Sequence, residues 1–114
     1  MRELGTMSKA LHEEVAGKIL QTLDIAILIG PLSAQYIAPV LKKSDFPFYS
    51  FPNFTLSKKT ILEVIKPKDM ILVKGSQNTL FLERVVQMLL QNPKDSDKLC
   101  RRGEHWDKIR EKTL

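Results

Sequence analysis

The residues of this chain whose types and spacing could bind a ligand are Gly30 and the run Lys74-Gly75-Ser76. Each follows a short unbroken apolar run of the kind that is typical of a strand buried on both faces. Glycine lets a backbone approach a ligand closely, and Lys74 adds a positive charge. The backbone N–H groups after Ser76 would lie in the first turn of the following helix, where they and the helix dipole favour binding of an anion. The pattern is therefore typical of a pocket for a carboxylate or a phosphate.

The same glycines have a second interpretation, which the sequence leaves open. Gly30 and Gly75 could simply make tight turns from a strand to a helix, with Lys74 as a surface charge. The binding interpretation depends on two strands, Ile25–Ile29 and Met70–Val73. Ligands of open parallel sheets lie outside the carboxyl ends of the strands. If both strands are parallel, the two glycines lie at the same edge of the sheet.

Other chemical motifs are absent from the sequence or weak. There is no dinucleotide-binding glycine pattern, and Gly17-Lys18 is followed by Ile19, so it is not a phosphate loop. One cysteine and two histidines, His12 and His105, do not have the spacing of zinc ligands. His12 is predicted to lie on the surface of a helix.

The C-terminal part of the sequence is polar and offers little chemistry. A nucleophile pair of Cys100 and His105 would need an oriented base in a pocket, which the polar surroundings do not favour. Trp106 and Ile109 are predicted to dock a short tail helix on the domain, in preference to binding a partner.

Composition and charge bound the class of protein. The chain has 114 residues, 43% of them hydrophobic, which fits one globular domain. Its net charge of +5 comes from interspersed charges of both signs, so nucleic-acid binding is not favoured. The single cysteine, Cys100, excludes an internal disulfide and fits a cytoplasmic location. Met1–Lys18 lacks the apolar run of a signal peptide, and Ile25–Ile29 is far shorter than the ~20 residues of a membrane span.

The chain alternates helices with strands. Apolar residues at helical spacing predict helices at Ser8–Leu23, Ser33–Lys43 and Leu80–Leu90, and a further one capped by Thr55 or Ser57. Pro39 is expected to kink the second helix or delay its start. Phe46–Phe51 is predicted as an edge strand, because Pro47 cannot donate to a ladder, and Pro67-Lys68-Asp69 as a turn. Such alternation predicts an α/β fold in which helices connect parallel strands.

Three segments of the chain, taken in order, are similar to motifs of one enzyme family. The segment Asp69–Ser76 is similar to G-D-x-V-L-V-K-G-S-R, and Leu82–Val86 is similar to the M-E-x-V-V that follows it. Met1–Gly5, with His12 and Val15-Ala16-Gly17 behind it, is similar to the stretch D-M-x-E-L-G … H-x-x-V-G. Three motifs in the same order are more specific than any one alone. By these motifs the chain resembles the Mur ligase family, in particular its members that add D-alanyl-D-alanine to a muramyl tripeptide.

The resemblance implies a fold and a domain organisation. The chain corresponds to the C-terminal domain of these ligases, a three-layer Rossmann-like domain whose mostly parallel sheet has helices on both faces. The domain is predicted to span residues 1–92 and to be followed by a polar tail at 93–114. The strand that precedes the Met1 motif in the family is expected to be missing. A sheet without that strand would expose its edges.

The resemblance also implies a role in peptidoglycan synthesis. In Mur ligases, a central domain binds ATP and Mg²⁺ and makes an acyl phosphate on a UDP-muramyl peptide, while the C-terminal domain presents the incoming amine. Lys74, Gly75 and Ser76, together with Gly30, would bind the incoming D-alanyl-D-alanine or amino acid through its carboxylate. No catalytic residue, metal ligand or cofactor is expected within this chain, which is expected to have no ligase activity alone.

Two positions depart from the family's pattern. Gln77 stands where the family usually has arginine, and Lys68 stands where it usually has glycine. One cationic contact is therefore missing or replaced.

Two other functions stay open: a stand-alone module that binds a small carboxylate or peptide, and a split subunit that docks on an ATP-binding partner.

Overall fold

A computed structural model describes residues 5–75 and 82–90 of the chain. In this part the protein is an α/β fold with two parallel strands and several helices. A 3-10 helix at Gly5–Met7 is followed by α1 (Ser8–Thr22), β1 (Ala26–Ile29), α2 (Pro31–Tyr36), α3 (Ala38–Lys43), β2 (Phe48–Phe51), α4 (Phe54–Val64) and α5 (Glu83–Leu89). The chain divides into two compact units, Met1–Ser57 and Lys58–Leu114.

The first unit contains a parallel pair of strands. β1 and β2 pair in a register that runs from Ala26↔Phe48 to Ile29↔Phe51. The Ala26 N–H donates to the Pro47 carbonyl at 3.2 Å, at the start of the pair. Parallel strands need a long connection, and α2 and α3 supply it. The parallel arrangement predicted from the alternation is confirmed for these two strands.

The helical segment between the strands is interrupted, as Pro39 predicts. α2 and α3 meet at Ile37, and Pro39 lies in the first turn of α3. There its missing N–H costs no helical hydrogen bond. Pro31 occupies the corresponding place at the start of α2. The expected interruption is therefore confirmed, with a new helix starting at Ala38, one residue before the proline.

The core of the first unit joins α1, α3 and one face of β1. Its buried members are Ala16, Ala26, Leu28, Ile37 and Leu41. Ala26 and Leu28 alternate along β1 and therefore point to the same face. Ile29 points to the other face and is also buried, which fits the prediction of a strand buried on both faces.

α3 ends in a turn that returns the chain to the core. Asp45 has a positive φ of 52°. The N–H groups of Asp45 and Phe46 donate back to the carbonyls of Lys42 and Leu41, at 3.2 and 3.0 Å. This pair of bonds is the Schellman motif, which satisfies carbonyls at a helix end. It leads Phe46 into the cluster around Leu41, immediately before β2.

The cap of α4 differs from the prediction. The Asn53 side-chain oxygen accepts from the Leu56 N–H at 3.0 Å, so Asn53 caps the helix in place of Thr55 or Ser57. The helix already begins at Phe54, which puts both hydroxyl residues inside it. Ser57 is completely buried, and its hydroxyl donates to the Phe54 carbonyl at 2.7 Å.

Two predictions about the second unit are wrong. The spacing of Ile61, Leu62, Val64 and Ile65 predicts one apolar stripe for α4, yet Leu62 is 58% exposed, while its neighbour Ile61 is buried. Met70–Val73, predicted as a third buried strand, forms no strand among the described residues. An apolar run becomes a strand only when another strand takes up its N–H and C=O groups. In the described part of the chain, the sheet contains β1 and β2 alone.

The turn that precedes this run is confirmed. The Asp69 N–H donates to the Lys66 carbonyl at 3.2 Å. The Asp69 carboxylate accepts from the Lys66 N–H at 2.8 Å, which is a second hydrogen bond across the turn. Lys68 lies between them with a positive φ of 72°.

The last helix is confirmed over the part that the structure describes. α5 falls within the predicted segment Leu80–Leu90, and Val85 on its inward side is buried. The predicted tail helix, with Trp106 and Ile109, lies outside the described residues. The domain boundary at residue 92 lies there too and stays a prediction.

Candidate functional site

Gly30 ends β1 and makes the turn into α2. Its φ of 105° and ψ of 164° lie in a region that is essentially restricted to glycine. The residue is buried. Its N–H donates to the Phe51 carbonyl at 2.9 Å, and its carbonyl accepts from the Ala34 N–H at 3.3 Å. The backbone itself therefore requires glycine at this position, and the predicted strand-to-helix turn is confirmed.

Lys74 and Gly75 belong to the second unit and are both exposed. Among the described residues, Lys74 has no ion pair or hydrogen bond. A Cβ atom at position 75 would lie 2.6 Å from Cδ1 of Leu82, so the absence of a side chain lets the backbone approach Leu82. Ser76 lies outside the described residues. The ammonium group of Lys74 is thus accessible to an anion from solution.

The predicted meeting of Gly30 with Lys74, Gly75 and Ser76 at one sheet edge stays a prediction. Gly30 belongs to the first unit, whereas Lys74 and Gly75 belong to the second. The two glycines would meet at one edge only if Met70–Val73 were a parallel strand of the same sheet, and the described residues form no strand there. The structure thus describes two separate parts of the candidate site: a glycine turn at the carboxyl end of β1, and an exposed lysine followed by glycine.

His12 lies in the core, so its prediction as a surface residue of α1 is wrong. Its side chain is completely buried. The reason is its position one turn before Ala16, which is also completely buried, because residues four apart share a helix face. Tyr36 of α2 lies beside it, with 5.8 Å between the ring centroids. The spacing to Ala16 is the sequence feature that indicates this burial.

The hydrogen bonds of His12 decide which ring nitrogen carries the hydrogen. Nδ1 lies 2.6 Å from the Ser8 carbonyl. A carbonyl can only accept, so Nδ1 donates, and in the neutral ring Nε2 is left as an acceptor. Nε2 is buried without a hydrogen-bond partner in the described part of the chain. An unpaired buried acceptor costs about 1–3 kcal/mol. Because the whole side chain is buried, neither ring nitrogen is in contact with solvent, so we assign His12 to packing and not to proton transfer.

His12→Phe is expected to leave the free energy of unfolding within about 1 kcal/mol of the wild-type value. The variant loses the hydrogen bond to Ser8, worth about 1 kcal/mol, but it also removes the unpaired Nε2. It keeps a ring beside Tyr36. His12→Ala is expected to cost about 2–4 kcal/mol, because it leaves a cavity in the core. Urea denaturation followed by circular dichroism measures both changes.

Glu14→Ala is the control for these variants, because Glu14 is an exposed residue of the same helix. We expect it to change the free energy of unfolding by less than about 0.5 kcal/mol. If His12→Phe proves as destabilising as His12→Ala, the polar nitrogens of His12 stabilise the fold, and the assignment to packing is incorrect.

Within 5–75 and 82–90, no group of three or more His, Cys, Asp or Glu side chains is placed so that it could hold a metal ion. No helix in these two segments is long and apolar enough to cross a bilayer.

Comparisons of the chain with protein-family profiles, with curated proteins and with solved structures give no match.

Proposed function

We propose that this chain is the C-terminal, substrate-side domain of a Mur-type ligase. Its role would be to position D-alanyl-D-alanine or an amino acid for attack on a UDP-muramyl peptide in peptidoglycan synthesis. The observation that carries this proposal is the order of three segments, within residues 1–17, 69–76 and 82–86, that resemble the family's motifs. A domain of this kind contributes geometry: holding two reactants together can lower the barrier by about 7–11 kcal/mol.

The fold of the first unit is compatible with that role. Rossmann-like sheets are built from parallel strands joined by helical crossovers, and β1, α2, α3 and β2 form one such crossover. Ligands of these sheets bind outside the carboxyl ends of the strands, and Gly30 stands at that end of β1. For the complete domain we propose the three-layer arrangement, with helices on both faces of a mostly parallel sheet.

Within this domain, Lys74 is the proposed contact to the carboxylate of the incoming amino acid or dipeptide. Its exposed side chain can pair with an anion from solution without first breaking a bond to another described residue. Gly75, whose missing side chain makes room for Leu82, would offer the ligand its backbone N–H, and the Ser76 hydroxyl would add a donor. Gly30 would contribute a backbone turn at the sheet edge.

ATP and Mg²⁺ are assigned to a separate ATP-binding domain, in the same chain or on a partner. The described residues contain no cluster of acidic, histidine or cysteine side chains suited to a metal ion, so no step proposed for them uses one. Their role is to bind and orient the amine. ATP-dependent ligation of D-alanyl-D-alanine by the purified chain alone would contradict this division of roles.

Lys74→Ala is expected to weaken the binding of D-alanyl-D-alanine by about tenfold or more. The substitution removes a charge-assisted hydrogen bond, which is worth about 1.5–3 kcal/mol. Isothermal titration calorimetry on the full chain measures the dissociation constant. Lys66→Ala is the matched control, because Lys66 is another exposed lysine of the second unit, and its variant is expected to bind like the wild type.

The amide of the dipeptide, which lacks the carboxylate, completes a double-mutant cycle with Lys74→Ala. If Lys74 binds the carboxylate, removing both groups weakens binding no more than removing either one. Additive losses would contradict the assignment of Lys74. If the wild-type chain did not bind D-alanyl-D-alanine, or bound it no better than L-alanyl-L-alanine, the positioning role itself would be contradicted.

A further inference from the structure

Three consecutive apolar residues of the second unit are exposed. Met70 is 100% exposed, Ile71 44% and Leu72 74%. Together with Val73 they belong to no helix or strand among the described residues. Isoleucine and valine favour strands. An exposed, strand-forming apolar run with unpaired backbone groups is a template for pairing with another chain.

We propose that the run Met70–Val73 pairs with the same run of a second copy of the chain, as an antiparallel ladder about a two-fold axis. The charges at the ends of the run support pairing with a second copy, since Asp69 precedes the run and Lys74 follows it. A ladder centred between Ile71 and Leu72 sets Asp69 of each copy opposite Lys74 of the other. Both ends then carry a pair of opposite charges, which stabilises cross-strand pairing. A parallel in-register ladder would set like charges side by side.

The same register also matches the apolar side chains. Ile71 lies opposite Leu72 of the other copy, and Met70 lies opposite Val73, so both faces of the ladder carry apolar pairs. Asp69 is exposed, and one of its carboxylate oxygens accepts from the Lys66 N–H at 2.8 Å. That bond leaves the second carboxylate oxygen for a lysine of the other copy.

The expected dimer is weak, because four residues from each copy make a small interface. Stable protein–protein interfaces bury about 1,200–2,000 Å² in total, and an isolated two-stranded ladder is marginal in water. We therefore expect dimers at protein concentrations on the order of 100 µM and above. This inference does not rest on the proposed function, since it uses the exposure of the run and not its likeness to a ligase motif.

Sedimentation equilibrium of the full chain, from about 10 µM to 1 mM and in a reducing buffer, tests the dimer. Lys74→Asp and Asp69→Lys are each expected to weaken it about tenfold, because each sets like charges opposite one another at both ends. An equimolar mixture of these two variants is expected to dimerise again, since both ends of the mixed dimer carry opposite charges. Lys18→Asp makes the same charge change at an exposed position of the first unit and is expected to dimerise like the wild type.

A chain that stays monomeric over the whole range would overturn the proposal, and the run would then serve a different partner or none. Charge variants that dimerise as well as the wild type would overturn it too, as would a mixture that dimerises no better than its components. Leu72→Lys gives a second check, because it puts a charge at the centre of the ladder and is expected to abolish the dimer. Leu72 is 74% exposed, so an unchanged circular dichroism spectrum is expected to show that this variant folds.

Discussion

Leu41→Ala is expected to lower the free energy of unfolding by about 2–5 kcal/mol. Leu41 is completely buried in the core cluster with Ala16 and Leu28, so its loss leaves a cavity at the contact of α3 with α1 and β1. A domain of this size is stable by only about 5–15 kcal/mol in total, so the substitution removes a large share of that stability. Urea denaturation of wild type and variant, followed by circular dichroism, measures the difference.

The matched control for this variant is Leu56→Ala. Leu56 is also a helical leucine, but it is 59% exposed, so the same deletion removes little buried surface. We expect a change of about 0.5 kcal/mol or less. If the two variants were equally destabilised, the cluster around Leu41 would not be the main core of the first unit.

Gly30→Ala is expected to lower the free energy of unfolding by about 1–3 kcal/mol. A side chain at this position is strained, because the φ of 105° and ψ of 164° of Gly30 are almost never adopted by other residues. Relaxing the strain would move the N–H that bonds to the Phe51 carbonyl or the carbonyl that accepts from the Ala34 N–H. Thermal unfolding monitored by circular dichroism gives the change in stability.

Gly17→Ala is the control, and its expected effect has the opposite sign. Gly17 lies inside α1, and a Cβ atom there would meet nothing within 4 Å. Alanine favours the helix over glycine by about 1 kcal/mol, so this variant is expected to be the more stable one. A Gly30→Ala variant as stable as the wild type would show that the backbone does not require glycine at this position.

The elements that could be predicted from the sequence are those whose causes are local. Apolar spacing predicted α1, and the run before Gly30 predicted β1. Pro39 interrupted the helical segment because it has no N–H to donate. The sequence does not identify the capping residue of α4, because several neighbouring residues can act as caps and the position at which the helix begins decides among them.

The candidate site could be predicted only in part, for a related reason. Gly30 lies at the turn where the pattern placed it, and Lys74 is exposed. Their meeting depends on strand pairing, which joins residues far apart in the chain, and it stays a prediction. The surface prediction for His12 is wrong because histidine occurs both at the surface and in the core of proteins. Only its position four residues before Ala16 distinguishes the two environments here.

The helix breaks, the tight turns and the segments able to form strands can be predicted from the sequence, because they follow from side-chain shape and from the backbone freedom of glycine and proline. The register in which β1 pairs with β2 follows from the tertiary structure alone, as does the lack of a strand partner for Met70–Val73 in the described residues. A strand needs a partner strand, and a buried side chain needs another element to pack against. The sequence of one segment does not specify which other part of the chain will contact it.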